Sequence, residues 1–169
     1  MNIDKPIFKF ALREDLRDQP MFVPTKGEPL ATGWDVRVAL KNGAKELEII
    51  PNQYVKIELG FRTFAPEGWW FELKPRSSSF GKKKLHALYG TIDETYEGEL
   101  VFAAQYIPEN PEWNEPKHLI LTHGEAIGQI VPVRRQEMTV ESISNEEYDL
   151  LCSNRNAIRG AGGFGSTSK

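Results

Sequence analysis

Along most of the chain, apolar residues alternate with polar ones or gather in short runs between proline and glycine. That is the period of strands rather than helices. Ile7 to Leu12, Val36 to Leu40, Leu47 to Ile50, Tyr54 to Leu59 and Gly60 to Pro66 read as successive short strands. Pro66-Glu67-Gly68 then turns the chain into Trp69-Trp70-Phe71-Glu72-Leu73, aromatic enough to pack on both faces, with Lys74-Pro75-Arg76 expected to stop it. A small-residue loop, Ser77-Ser78-Ser79-Phe80-Gly81, follows. Leu119 to Thr122 and Ile127 to Val133 resume strands, and Met138 to Ile143 is predicted to be the last of the sheet. Arg13 to Pro29 is polar and proline-punctuated, a surface loop, and Pro108 to Pro116 is too rich in proline for an inner strand and reads as an exposed hairpin loop. One helix is expected. Ser144 is followed three residues later by Glu147, the capping-box spacing, ahead of Tyr148, Leu150 and Leu151. The pattern predicts an all-β fold, a jelly-roll-like sandwich or barrel with one short helix.

Composition narrows the classes. At 169 residues and 40% hydrophobic, the chain can bury one core of its own. A net charge of −3 gives no general pull toward nucleic acid or an anionic membrane. One cysteine, Cys152, excludes an internal disulfide, and three histidines cannot build a Cys/His zinc cluster by spacing. The N-terminus lacks a signal-peptide layout and no apolar run approaches the length of a membrane span, so a soluble protein in a reducing, cytoplasmic setting is expected.

Candidate chemistry centres on Gly90 to Glu99. Two glycines bracket Asp93 and Tyr96, a tight turn that aims a carboxylate and a phenol toward one cleft. An Asp beside a turn serves local hydrogen bonding equally well, and these residues alone leave both readings open. Arg76, Ser77 and Ser78 couple a phosphate-matching cation to hydroxyl donors after a strand. Asp35 follows Gly33 at a strand start, and Gln129 is predicted to be a buried amide in need of partners. Lys82-Lys83-Lys84 reads as an exposed charge run. Near the C-terminus, glycines with Arg159, Phe164, Gly165, Ser166 and Thr167 offer backbone donors, a guanidinium and an aromatic ring suited to phosphate and base. The same composition also describes a flexible tail.

In this order the segments TGWDV, PRSSSFGKK, GTIDETYEGEL, GEAIGQI and RGAGGFGSTS resemble the five motifs of the trimeric deoxyuridine triphosphate nucleotidohydrolases, the dUTPases. The resemblance spans nearly the whole chain. It implies a β jelly-roll homotrimer that converts dUTP to dUMP and pyrophosphate with Mg²⁺, with sites between subunits closed by a neighbour's C-terminal arm. On this reading residues 1–158 form the β domain and 159–169 the arm. Asp93 matches the base that activates water, and Tyr96 the ring that packs on deoxyribose and excludes a 2′-hydroxyl. Asp35 matches the carboxylate near metal-bound water, and Arg76, Ser77, Ser78 and Gln129 match groups around the phosphates. Arg159, Ser166 and Thr167 match the γ-phosphate clamp, with Gly165 beside them, and Phe164 the ring over uracil.

The chain departs from the family pattern at Ala87, where many members carry an asparagine that reads the uracil edge. Main-chain groups from Ala87 to Gly90, with Ile92 behind them, are expected to take over. Ala126 stands where arginine is usual, and Glu97 where a basic or amide residue is usual. The related dCTP deaminases share the fold, but their catalytic glutamate falls near Ala103, which cannot shuttle a proton. A nucleotide-binding regulator of the same fold is the other alternative; Asp93 favours an enzyme.

Overall fold

Strict alternation builds the sheets. In β4 (Tyr54–Glu58), Val55 and Ile57 are buried while Tyr54 and Lys56 face outward. β4 pairs antiparallel with β9 (Val101–Tyr106), which buries Phe102, Ala104 and Tyr106, and β9 carries β7 (Leu85–Ala87) on its other edge. A four-stranded antiparallel sheet runs in the order β2 (Trp34–Arg37), β11 (Ala126–Arg134), β6 (Trp69–Pro75), β8 (Gly90–Ile92). Two further antiparallel pairs complete the set: β1 (Lys9–Leu12) with β5 (Phe61–Phe64), and β3 (Glu46–Ile49) with β10 (Leu119–Thr122). Inward residues of all four sheets, among them Ile57, Phe61, Phe71, Leu73, Phe102 and Ile130, form one core. Each such side chain stabilises the fold by roughly 1.5–3 kcal/mol relative to exposure.

This computed structural model describes residues 6–109 and 118–155. The chain divides into two compact units, Met1–Gln136 and Glu137–Lys169. The all-β class is as expected, although the sheets stay separate rather than closing into a barrel. The segment from Arg13 to Pro29 is more ordered than a surface loop: 3₁₀ turns at Glu14–Leu16 and Pro20–Phe22 drop Leu16 and Phe22 onto Ala39 in a second small core.

Three expectations are corrected. Lys74 and Pro75 belong to β6 and do not stop it, because Pro75 occupies the last position of the strand. Ser77–Gly81 is a short helix, α1, not a loop, so the described residues hold two α-helices. Serine is a weak helix former, and the turn is fixed from outside: buried Ser79 donates through Oγ to the carbonyl of Ile127 at 2.5 Å. Met138 to Ile143 is not a strand. Its alternation has no sheet to receive it, and Met138 and Val140 are more than four-fifths exposed, at 83% and 81%.

In the second unit, α2 (Asn145–Ser153) starts as the capping box predicts, with the Ser144 side chain accepting from the Glu147 N–H at 3.1 Å. The Tyr148 phenol is pushed up by its hydrogen bond with Cys152, one turn on. Among the described residues no helix is long and apolar enough to cross a membrane.

Candidate active site

The residues expected to meet phosphate converge on one end of the four-stranded sheet. Register places Gln129 of β11 opposite Asp35 of β2 on one side and Lys74 of β6 on the other. Arg76 leaves the end of β6, where its N–H donates to the Ile127 carbonyl at 3.4 Å, and its extended backbone caps α1. Its Nη1 lies 3.4 Å from Asp35 Oδ2, both side chains being partly open to solvent. Asp35 is held by backbone bonds with Thr25 in both directions, 2.7 and 3.3 Å. Gln129 is half-buried rather than buried, and its amide lies against Gly33, where a Cβ would collide with it. The three consecutive serines differ: Ser77 is exposed, Ser78 half-buried, and Ser79 fully buried in its bond to Ile127.

Asp93 and Tyr96 form a second group. β8 ends at Ile92, and Asp93 opens a β-turn closed by the Tyr96 N–H donating to the Asp93 carbonyl at 3.0 Å. The turn overlooks a cavity of about 310 Å³ whose wall includes Asp93, Tyr96, Leu73, Leu88, Gly90 and Ile92. That is an apolar slot with a carboxylate and a phenol at its mouth, the composition of a small-molecule site. Ala103 is also on this wall and brings no carboxylate. Ala87 is not: it pairs with Ala104 in the ladder and packs against the core. The Leu88 N–H is committed to the Ala103 carbonyl at 2.9 Å, so the expectation that main chain from Ala87 to Gly90 reads a base narrows to Tyr89 and Gly90. A more apolar cavity of about 320 Å³ lies on β1 and β5 among Lys9, Phe10, Arg62 and Phe64; of the residues singled out from sequence it holds only Glu97.

The two groups do not meet within the chain. Phe71 pairs with Ile92 and Leu73 with Gly90, so Asp93 falls level with Trp70 at the start of β6, while Arg76 lies beyond its end. Six residues of strand separate them, about 20 Å at the usual rise. Among the described residues no cluster of three or more His, Cys, Asp or Glu side chains is placed to hold a metal ion. Arg159, Phe164, Gly165, Ser166 and Thr167, and most of the Pro108 to Pro116 segment, lie outside the described residues.

Sequence reasoning missed the groups that hold the Asp93 turn. Glu94 accepts from the Gly68 N–H at 3.0 Å and from Arg135 at 2.7 Å. Glu99 accepts from the Gly60 N–H at 3.0 Å and from Arg13 at 2.9 Å. Arg13 is held protonated above its ordinary range, chiefly by its hydrogen bond to Asp15, and that bond holds the Asp15 carboxyl below the usual carboxylate range. The available signal was two carboxylates flanking a glycine-bracketed turn; their partners are remote in sequence.

No protein-family model matches the sequence. The deoxyuridine 5′-triphosphate nucleotidohydrolase of Candida albicans is 31% identical over 160 residues, covering 94% of this chain and 89% of that protein. Among solved structures, a Staphylococcus bacteriophage 80alpha dUTPase variant with dUpNHpp superposes with a TM-score of 0.71 at 20% identity, over 95% of this chain and 97% of that one. The dUTPase of phage phi11 of S. aureus, a structure describing coordination of a structural Mg(II) ion, gives 0.65 at 19% identity over 82% of this chain and 97% of that one.

Proposed function

The chain belongs to the deoxyuridine 5′-triphosphate nucleotidohydrolase family, and from that premise we infer that it hydrolyses dUTP to dUMP and pyrophosphate with Asp93 as general base. The observation that carries the assignment is Asp93 at the mouth of an apolar slot with Tyr96 beside it. The uracil and deoxyribose enter the slot, Gly90 allows close approach of main chain to the base, Ile92 forms the wall, and the Tyr96 ring leaves no room for a 2′-hydroxyl. A water bonds to the α-phosphorus as Asp93 takes its proton, and the bond from phosphorus to the bridging oxygen breaks, its electron pair leaving with pyrophosphate. Arg76, Ser77, Ser78 and Gln129 donate along the phosphate chain, matching charge that builds on the leaving group.

The site is shared between copies in a homotrimer. What supports this is the strand register, which sets Asp93 and Arg76 at opposite ends of β6, so one copy's slot serves another copy's phosphate group. The arm, residues 159–169 beyond a β domain of 1–158, closes the site with Arg159, Gly165, Ser166 and Thr167 on the γ-phosphate and Phe164 over uracil.

A single partly exposed carboxylate, Asp35, fits Mg²⁺ held through water and substrate oxygens better than a protein cage does, and Mg²⁺ commonly keeps its waters in this way. When bound it neutralises phosphate-oxygen charge. An enzyme that guards the deoxynucleotide pool belongs in the cytoplasm, and the exposed free thiol of Cys152 suits a reducing compartment.

Pyrophosphate release across a panel of deoxynucleoside triphosphates tests the proposal. dUTP should be turned over fastest, Asp93→Asn should abolish turnover while still binding dUpNHpp, and deletion from Arg159 should remove most activity. Binding of dUTP with no hydrolysis by the intact chain would replace the hydrolase with a nucleotide-binding regulator.

A further inference from the structure

The turn that carries Asp93 and Tyr96 is fastened at both ends, and the two fastenings have the same parts. Each is a glutamate that accepts one bond from a backbone N–H and one from an arginine: Glu94 from Gly68 (3.0 Å) and Arg135 (2.7 Å), Glu99 from Gly60 (3.0 Å) and Arg13 (2.9 Å). Gly60 and Gly68 are both left-handed, at φ +76 and +77, and flank β5, Gly60 directly and Gly68 by way of the Pro66 turn. Left-handed glycines expose an N–H in a direction that an ordinary strand residue does not. The turn is thus tied at both ends to the two turns that bound one strand.

The ties differ in strength and in what they control. Arg135 is half exposed, so its ion pair with Glu94 is screened, and the Gly68 N–H gives that carboxylate its direction. Glu94 directly follows Asp93, so fixing its side chain fixes the peptide from which the Asp93 carboxylate projects. Arg13 is a stronger anchor. It is only 15% exposed, bonds Asp15 and Glu58 as well as Glu99, and donates to the carbonyls of Ala39 and Leu40. The Tyr96 hydroxyl donates to the backbone carbonyl of Glu99 at 3.2 Å, and its ring lies against Gly98, where a Cβ would strike it. Whatever holds Glu99 therefore holds the far end of the Tyr96 ring.

We propose that Glu94 and Glu99 are positioning residues with separate tasks: Glu94 aims Asp93 and governs the chemical step, while Glu99, locked by Arg13, aims Tyr96 and governs selection of the deoxyribose. The proposal rests on the roles given to Asp93 and Tyr96 above. A base acts only as the reaction proceeds, so its misplacement lowers kcat, whereas a ring that packs on the sugar throughout acts through KM.

Steady-state kinetics of the full chain with dUTP and UTP test this, using Glu94→Gln, Glu99→Gln, Arg13→Gln, the Arg13→Gln/Glu99→Gln double variant and Asp93→Asn. Glu94→Gln should lower kcat about 10- to 100-fold with KM nearly unchanged. Glu99→Gln should raise KM for dUTP about tenfold, keep kcat near the parent value, and narrow the preference for dUTP over UTP by a similar factor. Arg13→Gln should reproduce the Glu99→Gln pattern, and the double variant should be no worse than either single change. Circular dichroism checks folding. Should Glu99→Gln fail to fold, Arg13→Lys keeps the charge and should show the same KM and sugar-preference shift in weaker form. Parent-like kinetics in both glutamate variants, or the same kcat and KM changes in both, would overturn the proposal provided Asp93→Asn is inactive. An active Asp93→Asn would instead remove the assignment beneath it.

Discussion

Replacing the Ser79 hydroxyl with hydrogen should weaken the fold while leaving the chemistry almost untouched, and the same change at Ser77 should do the reverse. Ser79 has no exposed surface, and its Oγ makes one short bond, 2.5 Å, to the carbonyl of Ile127. That carbonyl also accepts from the Arg76 N–H at a long 3.4 Å, so Ser79→Ala leaves it weakly paired rather than orphaned. The expected cost is then the net worth of one buried hydrogen bond, about 1 kcal/mol, not the larger penalty of an unsatisfied carbonyl. For a chain of this size that is about 2–4 °C in melting temperature. Ser77 sits one turn away, exposed, and is assigned to the phosphates. Ser77→Ala should melt with the parent and lose about tenfold in kcat/KM, the scale of one lost donor in the transition state. Thermal melts and pyrophosphate release on the two variants settle the matter. If Ser79→Ala melts with the parent, or if it rather than Ser77→Ala loses activity, the division of labour among these serines is wrong.

Further predictions concern the core, pH and metal. Phe102 is fully buried at the centre of the core, and Phe102→Ala should cost about 3–5 kcal/mol in urea unfolding; a loss below about 1 kcal/mol would mean the site collapses around the void. His123 accepts the Leu40 N–H on Nδ1, stacks on Phe22, and titrates below its ordinary 6.5, mainly through burial and then through Lys45 and Arg13. The unfolded chain therefore takes up this proton first, and the stability gained from neutral His123 is intact above 6.5 and lost as pH falls toward the lower folded value. The melting temperature of the parent should drop more steeply on acidification than that of His123→Gln, and parallel curves would contradict this. Chelation of divalent cations should stop dUTP hydrolysis and added Mg²⁺ should restore it, with the melting temperature little changed because no protein cage is emptied.

What the sequence conveys about the fold depends on how local each signal is. β10 occupies Leu119–Thr122, as its alternation predicts, and Ser144 caps α2 through the spacing that foretold it. α1 was invisible because three serines carry no helical preference, and its anchor is the carbonyl of Ile127, 48 residues away. Met138 to Ile143 misled for the opposite reason: alternation states that a segment can line a sheet, not that an edge is there to receive it. The site divides along the same line. Asp93 and Tyr96 are legible because a glycine-bracketed turn brings them together locally. The adjacency of Asp35, Gln129 and Arg76 is a product of the order β2-β11-β6, which no pattern along the chain reveals, and only the resemblance anticipated it. The Arg13–Glu99 tie spans 86 residues and had no sequence signal at all.

Sharing the site between copies and fastening the turn at both ends have a common origin in strand geometry. An antiparallel ladder fixes the distance between the two ends of β6 by its rise per residue, and no side-chain rotation spans the roughly 20 Å between Asp93 and Arg76. A base placed at one end of that strand can act only on phosphates held by a second copy. Its own subunit then contributes no contacts across the reacting atoms that could pull it into line as substrate arrives. The aim of the carboxylate must already be set in the isolated chain, within the tolerance that proximity effects demand. Glu94 and Glu99 supply that aim by tying the turn to two glycine N–H groups whose positions are set by β5, a strand built into the core through Phe61. A turn of this kind on a single-copy site could afford to be loose and tighten around its ligand. Here, looseness would be multiplied by every interface the substrate must bridge.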